Sequence, residues 1–225
     1  MAGKNRKIEG RLRARPSRSI VAGAVDPSPE RGGYLLCVPS TYRAQHPAPL
    51  ALLLHGATGH GRDALALLPD GLADAAGLIL LAPTSREYTW DLLVGRRYGP
   101  DVAGIDRALE HTFSSYTVDP KRVAVGGFSD GASYALSLGI ANGDLFTHVL
   151  AFSPGFAAPP GRVGSPRIFV SHGIRDDVLP IDRCSRRVVP QLELAGYELR
   201  YREFEGGHEV PSEIAREAVD WFAAG

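Results

Sequence analysis

Cysteine is scarce in this chain: two residues, Cys37 and Cys184, among 225. Two thiols cannot build the framework that staples small secreted domains, so a disulfide scaffold is excluded. Both lie in apolar surroundings and read as small buried residues of a reducing compartment. Long apolar runs are missing too. None approaches the ~20 residues that a membrane helix needs, and the first residues lack the apolar stretch of a secretory signal. Stable membrane insertion is therefore not expected. The cytoplasm is the expected location, with a mature secreted form as the alternative. Internal repeats and low-complexity tracts are absent. So is any excess of charge, since 25 Lys and Arg balance 25 Asp and Glu. At 44% hydrophobic and 22% charged residues, the composition suits a globular protein with a real core, not a disordered or collagen-like one. The length allows one domain.

The zero balance hides an asymmetry. Residues 1–18 hold seven basic residues (Lys4, Arg6, Lys7, Arg11, Arg13, Arg15 and Arg18) and one acid, Glu9, so this head is +6 and the remainder −6. Such a head could touch nucleic acid or an anionic membrane. Chain ends are more often solvated and poorly ordered, and that is the expectation here, without a nucleic-acid partner. Ile8-Glu9-Gly10-Arg11 also spells a protease-cleavage linker, so part of the head need not be native. The expected organisation is a basic head over 1–18 and a single domain over 19–225.

Beyond the head, short apolar runs alternate with helical stretches. The strand-like runs are Tyr34–Val38, Leu50–Leu54, Leu78–Ala82, Arg122–Gly126, His148–Phe152, Arg167–Ser171 and Glu198–Phe204. Several alternate little, as in strands covered on both faces. Helical spacing appears over Asp63–Ala76, Val102–Thr112, Ala132–Ala141, Asp182–Ala195 and Pro211–Phe222, with Pro190 expected to kink or split the fourth and Pro211 suited to the first helical position. This order predicts an α/β fold, a mostly parallel sheet flanked by helices on both faces, with no room for a large cap domain. Ile20–Val25 and Tyr34–Val38 are expected to form an antiparallel pair at the front. The stretch Pro83–Pro100, with Tyr88, Trp90 and Tyr98, reads as a loop, either flanking a binding site or an ordinary surface excursion.

The strongest local signal is Gly127-Phe128-Ser129-Asp130-Gly131, after an apolar strand and before a helix. A serine raised on a tight strand-to-helix turn takes a strained backbone, and side chains two residues before and after it would collide with neighbouring chain. The helix N-terminus then directs free N–H groups at the chemistry.

A serine hydroxyl attacks only when a base takes its proton and a third group orients that base. Three histidines follow the serine: His148, His172 and His208. His148 opens a strand and His172 closes one. His208 lies in Glu205-Gly206-Gly207-His208-Glu209, between the last strand and the last helix, where a loop can carry an imidazole over the carboxyl edge of the sheet. His208 is the expected base. For the acid, the segment after the strand ending at Ser171 offers Asp176 and Asp177. One could hold the base while the other caps a helix or pairs with Arg175. Asp182 suits the N-cap of the next helix better. Spacing does not choose between Asp176 and Asp177.

Acyl transfer also needs backbone N–H groups facing the developing oxyanion. One is expected from Asp130, after the nucleophile. The other is expected from Ala57, in the glycine-rich loop His55-Gly56-Ala57-Thr58-Gly59-His60-Gly61. That loop lacks the Gly-Lys-Ser/Thr or G-x-G-x-x-G patterns of phosphate cradles.

Taken together, these motifs resemble the α/β-hydrolase superfamily. Within it, the chain is similar to the small capless serine esterases: the phospholipase/carboxylesterase (acyl-protein thioesterase-like) group and the polyhydroxyalkanoate depolymerase-like esterases. The resemblance spans residues 33–224 and rests on Leu54-His55-Gly56, Gly127–Gly131, His172-Gly173-x-x-Asp176 with Val178 and Pro180, and Gly207-His208. It implies an α/β-hydrolase fold and hydrolysis of carboxylic esters or thioesters through an acyl-enzyme, with no metal or cofactor. It also implies Asp176 as the acid and Ala57 and Asp130 as oxyanion donors. Some members carry Gln where this chain has Asp130. That carboxylate, with Asp176-Asp177 and Glu209, predicts a preference for neutral or cationic esters.

The expected activity is a serine carboxylesterase acting on small or short-acyl esters. Thioesterase or lysophospholipase activity is the first alternative, and a non-enzymatic binding module on the same fold is the second. Tyr88, Trp90, Phe128, Phe156 and Leu179 are the candidate walls of an open, shallow acyl pocket, or else ordinary core and rim.

Overall fold

Leu50–Leu54 becomes the buried centre of a seven-residue strand. Alternate members serve opposite cores: Leu50, Leu52 and Leu54 face one helical layer and Ala51 and Leu53 the other. A central strand covered on both sides has no polar face to show, which is why the run lacks alternation. The computed structural model describes residues 9–16 and 32–224.

The strands are β1 (Tyr34–Cys37), β2 (Ala48–Leu54), β3 (Ile79–Pro83), β4 (Val118–Phe128), β5 (His148–Phe152), β6 (Arg167–Gly173) and β7 (Leu199–Phe204). They form one sheet in the order β1-β3-β2-β4-β5-β6-β7. Among the described strands only β1 runs antiparallel, pairing with β3. The expected partner of Tyr34–Val38, Ile20–Val25, lies outside the described residues. Because β1 is an edge strand, its last residue, Cys37, is exposed and not buried as expected; Cys184 is buried, and both thiols are free.

The helices are α1 (Gly61–Leu65), α2 (Leu72–Ala75), α3 (Asp91–Gly95), α4 (Pro100–Ser115), α5 (Asp130–Ala141), α6 (Ser185–Leu194) and α7 (Ser212–Ala223). Tyr134 and Leu138 of α5 and Ile105 and Leu109 of α4 pack on one face of the sheet, with Val188 and Leu192 of α6. Ile214, Ala218 and Phe222 of α7 pack on the other, with Ala64 and Leu72.

The helical expectations meet different outcomes. Asp63–Ala76 is two short helices, because Pro69 lacks an amide and Gly71 takes φ 75°. Pro190 sits inside α6 without splitting it. Asp182 does not cap that helix. It belongs to a 3₁₀ turn, Ile181–Arg183, and pairs with Arg186 at 2.8 Å. Pro211 stands one residue before its expected place, as the N-cap of α7. The undecided stretch before Pro100 contains α3 and is knitted by two carboxylates. Asp91 accepts the amides of Gly99 and Asp101 and the Tyr134 hydroxyl; Asp101 accepts those of Arg86 and Asp91.

Within the head, the described residues 9–16 are not a solvated end. Residues 9–16 lie against the body as a strap. Leu12 is 2% exposed, and its amide donates to Asn142 Oδ1. Asn142 Nδ2 returns a bond to the Gly10 carbonyl. Arg11 grips Asp144 with two bonds of 2.7 Å and donates to the Ala141 carbonyl, while Arg15 reaches the same carboxylate. Asp106 accepts the amides of Arg13 and Ala14. Two residues of the linker-like tetrapeptide, Gly10 and Arg11, thus make contacts integral to the fold.

Candidate active site

β4 delivers Phe128 to the carboxyl edge of the sheet and α5 begins at Asp130, so Ser129 is the single turning residue. Its backbone takes φ 58°, ψ −119°, a strained conformation for a residue with a Cβ. The flanking glycines are required by contact: a Cβ on Gly127 would lie 2.6 Å from Leu54 O, and one on Gly131 2.2 Å from the same oxygen. The Ser129 amide is anchored to Phe152 O at 2.9 Å, tying the turn to β5.

The β7–α7 loop brings His208 over this edge. Its Nε2 lies 2.9 Å from Ser129 Oγ, and its Nδ1 lies 2.6 Å from Asp176 Oδ2. The Phe128 ring lies tilted against the imidazole, with centroids 4.5 Å apart. The loop after β6 supplies Asp176, which is buried. Its Oδ1 accepts the amides of Val178 (3.0 Å) and Leu179 (2.8 Å). The two loops close on each other. Arg175 N donates to Gly206 O, and a Cβ on Gly173 would meet Gly207 O at 2.2 Å. Asp177 is exposed and takes no part in this chain of bonds, and Arg175 pairs with Glu205 instead.

The glycine-rich loop is held from within by His55. Its Nε2 accepts the Ser85 amide, so Nδ1 carries the proton and donates to Gly56 O at 2.7 Å. Thr58, at φ 62°, donates its amide to Tyr88 O. Among the described residues, the amides of Ala57 and Asp130 donate to no protein acceptor. Both belong to segments bordering Ser129; a Cβ on Gly56 would lie 3.5 Å from the serine Cβ. The Asp130 carboxylate accepts the hydroxyl of buried Thr89 at 2.6 Å, which ties the α5 N-terminus to the Pro83–Pro100 stretch.

The expected pocket walls divide. Trp90 is core, 1% exposed: its ring lies between His55 and Tyr134, and its Nε1–H donates to His55 O. An indole with a partner for its one polar atom is a favourable core residue, so the aromatic content of the loop was a packing signal. Tyr88, by contrast, is 57% exposed beside the glycine-rich loop. Phe128, Phe156 and Leu179 are half-buried, Leu179 against Gly155. The sequence reading did not pick out Thr89 or Ser185, and it weighed His172 only as a base. The Nδ1 of His172 meets Ser185 Oγ at 2.6 Å, and its Nε2 lies 3.2 Å from Asp176.

Among the described residues, no group of three or more His, Cys, Asp or Glu could hold a metal ion, and no helix is long and apolar enough to cross a membrane.

No protein-family model matches the chain, and no curated protein matches it. Solved structures do. A thermostable esterase superposes with a TM-score of 0.68 at 22% identity over 84% of this chain, which spans 58% of that longer protein. Esterase PE8 gives a TM-score of 0.64 at 23% identity, covering 86% of this chain and 98% of its own. The fluorophosphonate-binding serine hydrolase F of Staphylococcus aureus gives 0.70 at 12% identity, over 84% and 91%. At such identities the likeness is one of architecture, and with the sheet order above it establishes that the chain has an α/β-hydrolase fold.

Proposed function

We propose that the chain is a serine carboxylesterase for small or short-acyl esters. The observation that carries this reading is the unbroken chain Ser129 Oγ–His208–Asp176, built on a strained elbow at the carboxyl edge of the sheet. Ser129 attacks the ester carbonyl as His208 Nε2 takes the hydroxyl proton. Asp176 accepts Nδ1–H, which selects the tautomer and stabilises the imidazolium. The amides of Ala57 and Asp130 receive the oxyanion. His208 returns its proton to the leaving alcohol, and a water molecule, deprotonated by the same base, hydrolyses the acyl-enzyme. The esterase names of the structural neighbours point the same way.

Fluorophosphonate labelling and turnover of p-nitrophenyl esters of increasing chain length test this directly. Ser129→Ala is expected to abolish labelling and cut kcat by about 10⁶-fold, and Asp176→Asn by about 10⁴-fold. Wild-type protein that neither labels nor turns over any ester would leave only the binding-module reading. Activity rising toward long acyl chains or thioesters would instead favour a thioesterase or lysophospholipase. The basic head supports that alternative weakly, because Arg11 and Arg15 are already spent on Asp144.

A further inference from the structure

Beneath the acid loop lies a second imidazole that the proposed reaction does not use. His172 stands at the end of β6 with its side chain fully buried, paired across the sheet with Glu203 of β7. Both ring nitrogens are engaged. Nε2 faces the Leu179 carbonyl at 2.8 Å and Asp176 Oδ2 at 3.2 Å, and Nδ1 faces Ser185 Oγ at 2.6 Å. A carbonyl oxygen can only accept, so Nε2 carries the hydrogen, and Nδ1 accepts the Ser185 hydroxyl proton. Burial pushes this ring below the ordinary imidazole value, more than the Leu179 carbonyl and Asp176 raise it. A neutral ring with one fixed tautomer is the result.

The partners of this ring are not those of a histidine that merely fills space. Leu179 already gives its amide to Asp176 Oδ1. Its carbonyl returns to His172, so the turn from 176 to 179 is held at both ends. Asp176 Oδ2 meets two imidazoles, His208 at 2.6 Å and His172 at 3.2 Å. We propose that His172 is a positioning residue of the catalytic acid: its Nε2–H, shared between the Leu179 carbonyl and Asp176 Oδ2, holds the acid loop closed and aims Oδ2 at His208. Ser185, at the first turn of α6, sets the tautomer that makes this donation available. The role rests on the esterase reading above.

Three variants and one spectroscopic signal test it. His172→Leu is expected to lower kcat by about tenfold to a hundredfold with KM unchanged, the size of a misplaced catalytic group. His172→Gln, which keeps an N–H donor, should recover most of that loss. In the proton NMR spectrum, the low-field resonance of His208 Nδ1–H should shift or vanish in His172→Leu and persist in His172→Gln. If His172→Leu loses its cooperative unfolding transition, Ser185→Ala carries the test, with kcat expected to fall by about threefold to tenfold and the same resonance to shift. Wild-type kcat and an unmoved resonance in these variants would overturn the assignment. Failure of the wild-type protein to label with fluorophosphonate would overturn the esterase reading instead. The His208 resonance would then still report whether His172 positions Asp176.

Discussion

Ser129 takes a backbone conformation that costs of order 1–3 kcal/mol because nothing else would lift its hydroxyl between two loops. At the start of α5 the same turn leaves the Asp130 amide without a protein acceptor among the described residues, and the Ala57 amide is the other proposed oxyanion donor. Ala57→Pro removes one of these donors, and Gly56 before it can adopt the conformation that a following proline demands. Its kcat is expected to fall by about 10²–10³-fold, the usual value of one oxyanion donor. A melting temperature measured alongside should stay near wild type. A variant with wild-type kcat would move the oxyanion donor elsewhere.

Another residue, His148, contributes to the response to acid. His148 is buried against Trp221 and Phe222 beside Arg167, and burial followed by that guanidinium pushes its pKa down to about 4. The unfolded chain binds this proton near the ordinary histidine value of 6.5, so between pH 6.5 and 4 the unfolded state holds more protons. Stability is complete above that window and is lost as the pH falls through it, by about 3 kcal/mol from this group alone. Thermal unfolding of wild type and His148→Phe across pH 7 to 4 checks this: the variant should lose less stability over that range.

At the scale of elements, the strap over residues 9–16 is the clearest case of structure invisible to local reading. Its partners Asp106, Asn142 and Asp144 lie some ninety residues or more away along the chain. A run of arginines looks the same whether it is solvated or paired with an acid of the folded surface. Leu12→Ala is expected to cost about 2–5 kcal/mol and lower the melting temperature by several degrees, with kcat unchanged. A fall in kcat that tracks Leu12→Ala would mean that the strap reaches the site through α5. The Pro83–Pro100 stretch was unreadable for a similar reason. Its order comes from Asp91 and Asp101 closing on backbone amides, and Trp90 belongs to the core through contacts with His55 and Tyr134. The elbow was legible because its constraint is local. Gly127 and Gly131 are dictated by atoms of Leu54 that any such strand must place there. The split of Asp63–Ala76 was legible in principle, since Pro69 and Gly71 are both breakers and apolar spacing outvoted them. His172 carried no local signal of its second role, because Ser185 and Leu179 reach it only through the fold.

For the whole molecule, charge now divides by place. Arg11 and Arg15 share Asp144, whose carboxyl they hold well below the usual range, while Asp130, Asp177 and Glu209 stand beside Ser129, Asp176 and His208 in the chain. A cationic p-nitrophenyl ester is expected to show a higher kcat/KM than its anionic isostere at low salt, with the gap closing as salt rises. Equal rates at low salt would remove charge from the account of specificity.

Every residue of α5 after Asp130 is buried. Amide exchange reads this as a clock. Segments buried on all sides open only when the entire domain does, whereas loops that handle ligands exchange early. Here the two amides proposed to share one oxyanion stand on segments at opposite extremes of that clock, an exposed loop and the first residue of a buried helix. Ala57 is on an exposed loop and is expected to exchange within the first time points. The α5 amides from Ser133 onward should be among the last in the molecule to take up deuterium. One proposed oxyanion donor is thus carried by a helix as permanent as the fold itself, and the other by a loop that can be remade each time it breathes.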